Sequence, residues 1–244
     1  MAIITITGHD DIELLGTLSS AITVTCPATT FNGAYTLSSA SAGADTLITS
    51  ADVGDFNGLT SAAAVNKYIY VSAGTGMVGL HKITAIAVDT TGLTIQIDTP
   101  YNAANAITTI ALAGSDVPIY SLTIPALRVN SVIEIQTLWE NTGSTNSKQY
   151  IAKLGTDEFL NLANTTAANI AINRPVSIIN ENSLSAQVGR MPKGVATPLS
   201  GYFTAALPTG TTDTSVPSTL TLSAIMAVAN EFVTLRSARV VAIW

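Results

Sequence analysis

The chain has 244 residues, of which 47% are hydrophobic, 6% aromatic and only 11% charged, with a net charge of −6. A charged fraction under half the usual ~25% excludes a disordered chain, and the acidic balance excludes a cationic surface built to hold nucleic-acid phosphates. The single cysteine, Cys26, excludes a disulfide scaffold.

Threonine occurs 35 times, while Lys and Glu are scarce. Branching at Cβ packs well on a pleated surface, so the expected class is all-β. In chain order, residues 3–7 (Ile-Ile-Thr-Ile-Thr) read as a strand, as do residues 21–25, which Pro27 stops. Short strands are expected at 35–38 and 46–49, and a stronger one at 67–71. A single helical turn is expected at 61–65. A glycine-rich turn precedes a strand at 81–88. After a turn at 89–92, residues 93–98 alternate, with Ile95 and Ile97 on one face. Gly114 to Pro118 is a turn-rich break. Beyond it, strands are expected at 120–124, 132–139 and 149–154, with the polar residues 141–147 as a hairpin loop between the last two. Ile170, Ile172, Val176 and Ile178 share one face of a long strand that also carries Arg174, and Leu220, Leu222, Ala224 and Met226 share another. Strands at 232–235 and 239–244 close the chain, after a Pro-, Gly- and Thr-rich loop at 192–217.

Charge divides at the same break. Residues 1–118 hold nine acids and two lysines, whereas residues 119–244 hold seven acids and eight bases. The expected organisation is a small N-terminal barrel-like domain with an N-terminal arm over 1–118, followed by a jelly-roll sandwich over 119–244. Mean hydropathy is high, at +0.41. No apolar run reaches the ~18 residues of a membrane span, and 224–229 is stopped by Asn230 and Glu231. Residues 1–15 carry Asp10, Asp11 and Glu13 and lack the basic start of a signal peptide. The surplus apolarity is therefore expected to lie in an interface between copies.

Chemical motifs are few. Gly74, Gly76 and Gly79 match GxGxxG, but the following 81–88 lacks helical spacing, so a hairpin turn is expected instead of a dinucleotide site. His9-Asp10-Asp11, Asp52 with Asp55, and Asp157-Glu158 read as solvated turns, since none has the spacing of a metal site or an acid–base pair. His81 stands alone, and Cys26 reads as a small buried hydrophobe. Asn164-Thr165-Thr166 matches a glycosylation acceptor. No catalytic, cofactor or metal residues are expected, and the chain is read as a non-enzyme. Trp139, Arg174, Arg236 and Arg239 are candidate interface residues, with the core the better place for Trp139.

The second unit resembles C-terminal β-sandwich domains of bacteriophage structural proteins. The resemblance lies in Leu122-Thr123-Ile124-Pro125-Ala126, in Val132-Ile133-Glu134-Ile135-Gln136-Thr137-Leu138-Trp139, and in Lys148-Gln149-Tyr150-Ile151-Ala152-Lys153-Leu154-Gly155. Residues 163–167 add to it, and together these cover about half the chain. The resemblance implies a virion protein made in the host bacterial cytoplasm. It implies a capsid decoration (cement) protein that contacts the major capsid protein on the head surface as a homotrimer. Neither nucleic acid nor membrane is an expected partner. A tail fibre or receptor-binding module, touching glycans through loops such as 141–147, is the alternative. The arm and first unit are expected to dock, so that deleting residues 1–15 abolishes capsid binding and spares self-association.

Overall fold

The computed structural model describes residues 12–28, 35–41, 43–50, 56, 59, 64–88, 93–165, 172–190 and 206–244. The expected strand at 3–7 and the acids at 9–11, 52 and 55 lie outside them. So do the turn at 89–92 and most of the expected helical turn and of the 192–217 loop. The chain is all-β.

Two hydrophobic cores organise it. The larger lies between two sheets. One has the order β12 (Asp157–Asn164), β11 (Lys148–Leu154), β16 (Ser218–Met226), β9 (Val117–Ile124). The facing sheet runs β15 (Thr209–Gly210), β14 (Gln187–Gly189), β13 (Ile172–Asn180), β10 (Val132–Asn141), β17 (Phe232–Ile243). Beyond β17, β1 (Ile12–Thr17) and β2 (Ile22–Thr25) lie end to end and antiparallel to it. Counted as one interrupted strand, β1/β2 pairs with β17, β9 with β16, β10 with β13, and β11 with β12. First pairs with last, second with seventh, third with sixth and fourth with fifth, which is the nesting of an eight-stranded jelly roll.

The expected boundary at 118 is therefore corrected at its N-terminal side. Residues 12–28 belong to the sandwich, and Val24 and Cys26 are fully buried in its core. The small unit is an insertion between the first and second jelly-roll strands. Charge content could not show this, because strand pairing over such a separation leaves no compositional trace.

The insertion has its own core of Ile48, Phe56, Leu59, Ile69, Val71, Met77, Ile83, Ile95, Ile97, Ile107 and Ile110. Its strands are β3 (Tyr35–Ser38), β4 (Asp45–Ser50), β5 (Tyr68–Thr75), β6 (Gly79–Val88), β7 (Leu93–Pro100) and β8 (Ala106–Ile110). They follow the order β3-β4-β7-β6-β5-β8, and the end strands β3 and β8 approach each other, so the sheet curls into a barrel-like shape. β5 serves both cores: Ile69 and Val71 point into the barrel, while Tyr68 and Tyr70 pack against the sandwich. The parallel bridge Val24–Tyr68 and Lys67 over the Phe232 ring, 4.2 Å from its centroid, tie the units together.

Alternation accounts for the sandwich core. Leu220, Leu222, Ala224 and Met226 are all buried, facing Ile133, Ile135, Val233, Leu235 and Val240. Trp139 and Tyr150 meet across the sheets with ring centroids 5.2 Å apart. Two expectations at turns are revised. The residues after β10 do not form a hairpin, because β10 and β11 lie in different sheets and 142–147 crosses between them. The true hairpin joins β11 to β12 through Gly155 and Thr156, with Gly155 at φ +58°. The expected strands 232–235 and 239–244 are one strand with a bulge. Leu138 pairs with Ser237 and Trp139 with Leu235, leaving Arg236 as the extra residue.

Candidate functional site

The outer face of the larger sheet is the candidate site. An antiparallel sheet packed on one side normally turns polar residues to water on the other. Here the register aligns Val188, Ile179, Val132, Ile243 and Ile12 in one row across β14, β13, β10, β17 and β1. Their chain neighbours Ile178, Ile133 and Ala242 point inward and are buried, so the row points outward. The middle members are half-buried, and Ile12 is 67% exposed. Leu14, 57% exposed, and Val241 extend the patch into the next row, where Glu134 stands opposite Val241.

Further along β10 the face turns polar. Gln136, Thr137, Leu138, Pro175, Ser237, Ala238 and Arg239 line an open hollow of about 530 Å³ beside the bulge. Arg239 is exposed and sits opposite Gln136 on β10 and Thr17 on β1. Among the described residues it has no ion-pair partner, and neither does Glu134.

The other expected interface residues fall elsewhere. Trp139 lies in the core, the better of its two expected places: it is fully buried, and its Nε1–H donates to Thr137 Oγ1 at 2.9 Å. Arg236 projects at the bulge and pairs with Glu140 at 2.6 Å. The Glu140 carboxylate raises the Arg236 guanidinium pKa through its hydrogen bond and charge. Both partners are substantially exposed, so solvent screens the pair. The Arg174 backbone stands opposite Thr137, and its side chain lies outside what the structure describes. Only Arg239 belongs to the hollow. Sequence reasoning missed Glu134 and the apolar row. Both were present in the alternation of 132–139, but which outward residues share a row depends on register.

The crossover 142–147 is held from within. Lys148, 0% exposed, places its Nζ 3.0 Å from Glu231 Oε2, and donates to Ser144 Oγ at 2.5 Å and to the Asn146 carbonyl at 2.9 Å. Glu231 Oε1 accepts from Ser144 Oγ and, at 2.9 Å, from Asn146 Nδ2. Burial pushes the Glu231 carboxyl upward, but those donors and the Lys148 charge outweigh it and hold the carboxyl below its ordinary value. Beneath lies a second polar cluster: Asn141 Oδ1 accepts from Tyr150 Oη at 2.8 Å and from Asn164 Nδ2 at 3.1 Å. The amide of the glycosylation motif is therefore buried and engaged. Burial pushes the Tyr150 phenol up to about 12, against the opposing hydrogen bond to Asn164.

The remaining motifs have structural partners. Asp157 Oδ2 accepts from the Thr211 and Thr212 amides at 2.7 and 2.8 Å and from Thr212 Oγ1 at 2.7 Å, pinning the strand after the long loop. Desolvation opposes its ionisation, but the three donors prevail and lower its pKa. His81 is buried, with Nε2 donating to the Met77 carbonyl at 2.6 Å and Nδ1 2.6 Å from Thr99 Oγ1. Because a carbonyl only accepts, Nε2 carries a proton. The glycines of GxGxxG sit at positive φ, Gly74 near the end of β5, Gly76 at +67° in the β5–β6 connection and Gly79 at the start of β6. Cys26 is buried, and desolvation pushes its thiol up to about 12. Among the described residues no three His, Cys, Asp or Glu side chains cluster as a metal site, and no helix is long and apolar enough to cross a membrane.

These carboxylates set an acid limit. A folded-state pKa below the unfolded value gives stability that is complete above the unfolded pKa and lost as pH falls through the folded one. The unfolding midpoint should hold steady at neutral pH and decline as pH drops below about 4, and Glu231→Gln should flatten that decline. Denaturant titrations across pH 2–7 read it.

No protein-family model matches the chain, and neither the curated proteins nor the solved structures give a match.

Proposed function

We propose that this chain is a structural protein of a bacteriophage virion, a decoration protein that binds and stabilises the outer surface of an icosahedral head in contact with the major capsid protein. The observation that carries the reading is the outward apolar row and adjoining hollow on an otherwise rigid jelly roll. A face of this kind is a contact surface, since an isolated domain leaves such area polar. Self-associated copies on a regular shell gain effective concentration from many individually weak contacts, which resist expansion of the lattice. The internal bonding of 142–147 suits this role, because a loop whose donors are already committed keeps its shape under load.

Immunogold labelling of intact particles with antibody against this chain tests the proposal. Gold spread over the head is the expected result. Gold confined to the tail or its tip overturns it in favour of an adhesion module.

A further inference from the structure

We infer that two copies of this chain pair face to face through the outer surface of the larger jelly-roll sheet, the row of each covering the hollow of the other. Three observations converge on a second copy as the occupant.

The first is charge. Glu134 and Arg239 lie one row apart on the adjacent strands β10 and β17, and among the described residues neither has an ion-pair partner. A two-fold axis running between and along their rows sets Glu134 of each copy over Gln136 of the other, one strand spacing of ~4.8 Å from Arg239 and within reach of its long side chain, so one contact satisfies both charges twice.

The second is shape. The same axis superposes the Val132 row of one copy on the Leu138 row of the other. The apolar stripe of Ile243 and Val132 then lies over Ser237 and Leu138. The bulge that opens the hollow supplies the room.

The third is area. The five strands from β14 to β1 hold forty residues, which at ~4.8 Å spacing and ~3.3 Å rise span about 630 Å². That falls at the lower end of the roughly 600–1,000 Å² that each partner of a standard stable interface buries. A ring of three would divide the face between two neighbours and give each about half of that. The resemblance implies three copies, whereas this face is built for two. The inference rests on the same contact face as the proposed role in the virion and names a second copy as what that face meets.

The test is the mass of the full chain by sedimentation equilibrium at micromolar concentration, with the variants Glu134→Arg, Arg239→Glu and the combined swap. The wild type should be a dimer. Each single reversal sets like charges against each other at two places and should weaken dimerisation at least tenfold, and the swap should restore it. Both side chains reach solvent in one copy, so thermal midpoints of dilute samples serve as the folding control. A monomeric or trimeric wild type overturns the inference, as does a dimer that both single reversals leave unchanged. None of these results bears on where gold labels the particle.

Discussion

Lys148→Met should be among the most damaging single substitutions in the chain, costing about 3–5 kcal/mol of unfolding free energy. Lys148 has no exposed surface, and its ammonium serves Glu231, Ser144 and Asn146 together. Removing it leaves the Glu231 carboxylate buried with one oxygen stripped of its cation. Glu231→Gln should be milder, because the amide oxygen still accepts from Ser144 and Asn146. The double variant Lys148→Met with Glu231→Gln should lose clearly less than the sum of the singles, since neither change then leaves an uncompensated charge. Urea unfolding of the four proteins closes the cycle. Strict additivity would show that the two side chains act separately, and the crossover would need another anchor.

Deleting residues 1–25 should unfold the sandwich while leaving the inserted barrel its core. The deletion removes the first jelly-roll strand, with nine register positions on β17, and takes Val24 out of a fully buried site. At about 1 kcal/mol net per ladder hydrogen bond and ~2 kcal/mol for the buried valine, the loss is comparable to the ~5–15 kcal/mol of a whole domain. Trp139 lies in the affected core, so its fluorescence should shift to the solvent-exposed position. A synthetic peptide of residues 12–28 should restore the signal in trans, and the same peptide with Val24→Asp should not. An unchanged unfolding midpoint after the deletion would mean that β17 does not need this partner. The expectation attached to deleting residues 1–15 is revised accordingly. That deletion removes Ile12, Glu13, Leu14 and Leu15 from β1, so it strikes the sandwich as well as any arm. A deletion ending at residue 11 leaves β1 whole.

What could be read from the chain depended on whether its signal was local. Strands with one buried face announced themselves, as at Leu220–Met226 and at Ile95 and Ile97, because alternation is a property of neighbours. β1 was invisible: at the sheet edge its first three residues are exposed, so no alternation marks it. β12 opens with Asp157 and Glu158, which read as a turn, yet Asp157 is spent on the amides of Thr211 and Thr212 far along the chain. The crossover at 142–147 looked like a hairpin because its composition suits one, and composition does not say whether flanking strands share a sheet. The candidate face was half legible. Arg239 stood out in a charge-poor chain, but its hollow exists because Arg236 is an extra residue in the ladder, and an insertion of one in a register has no sequence mark of its own. Trp139 could be placed in the core from its alternation with Ile133 and Ile135.

The insertion also dictates an order of events during synthesis. Thr25 and Glu231, joined by a hydrogen bond in the finished molecule, are separated by 206 residues. The barrel is encoded in a contiguous stretch and can condense as soon as it clears the ribosome. β1 and β2 emerge earlier and must wait, unpaired, until translation has produced the strand that receives them. During that interval Ile22 and Val24 lack their β17 partners Leu235 and Val233, and a nascent chain on a neighbouring ribosome of the same message offers the identical segment. Closing the jelly roll is then a late, long-loop step that competes with association between unfinished chains. The barrel docked beside β2 through Tyr68 holds that waiting strand near the place where its partner will arrive, and Lys67 meets the ring of Phe232 once it does.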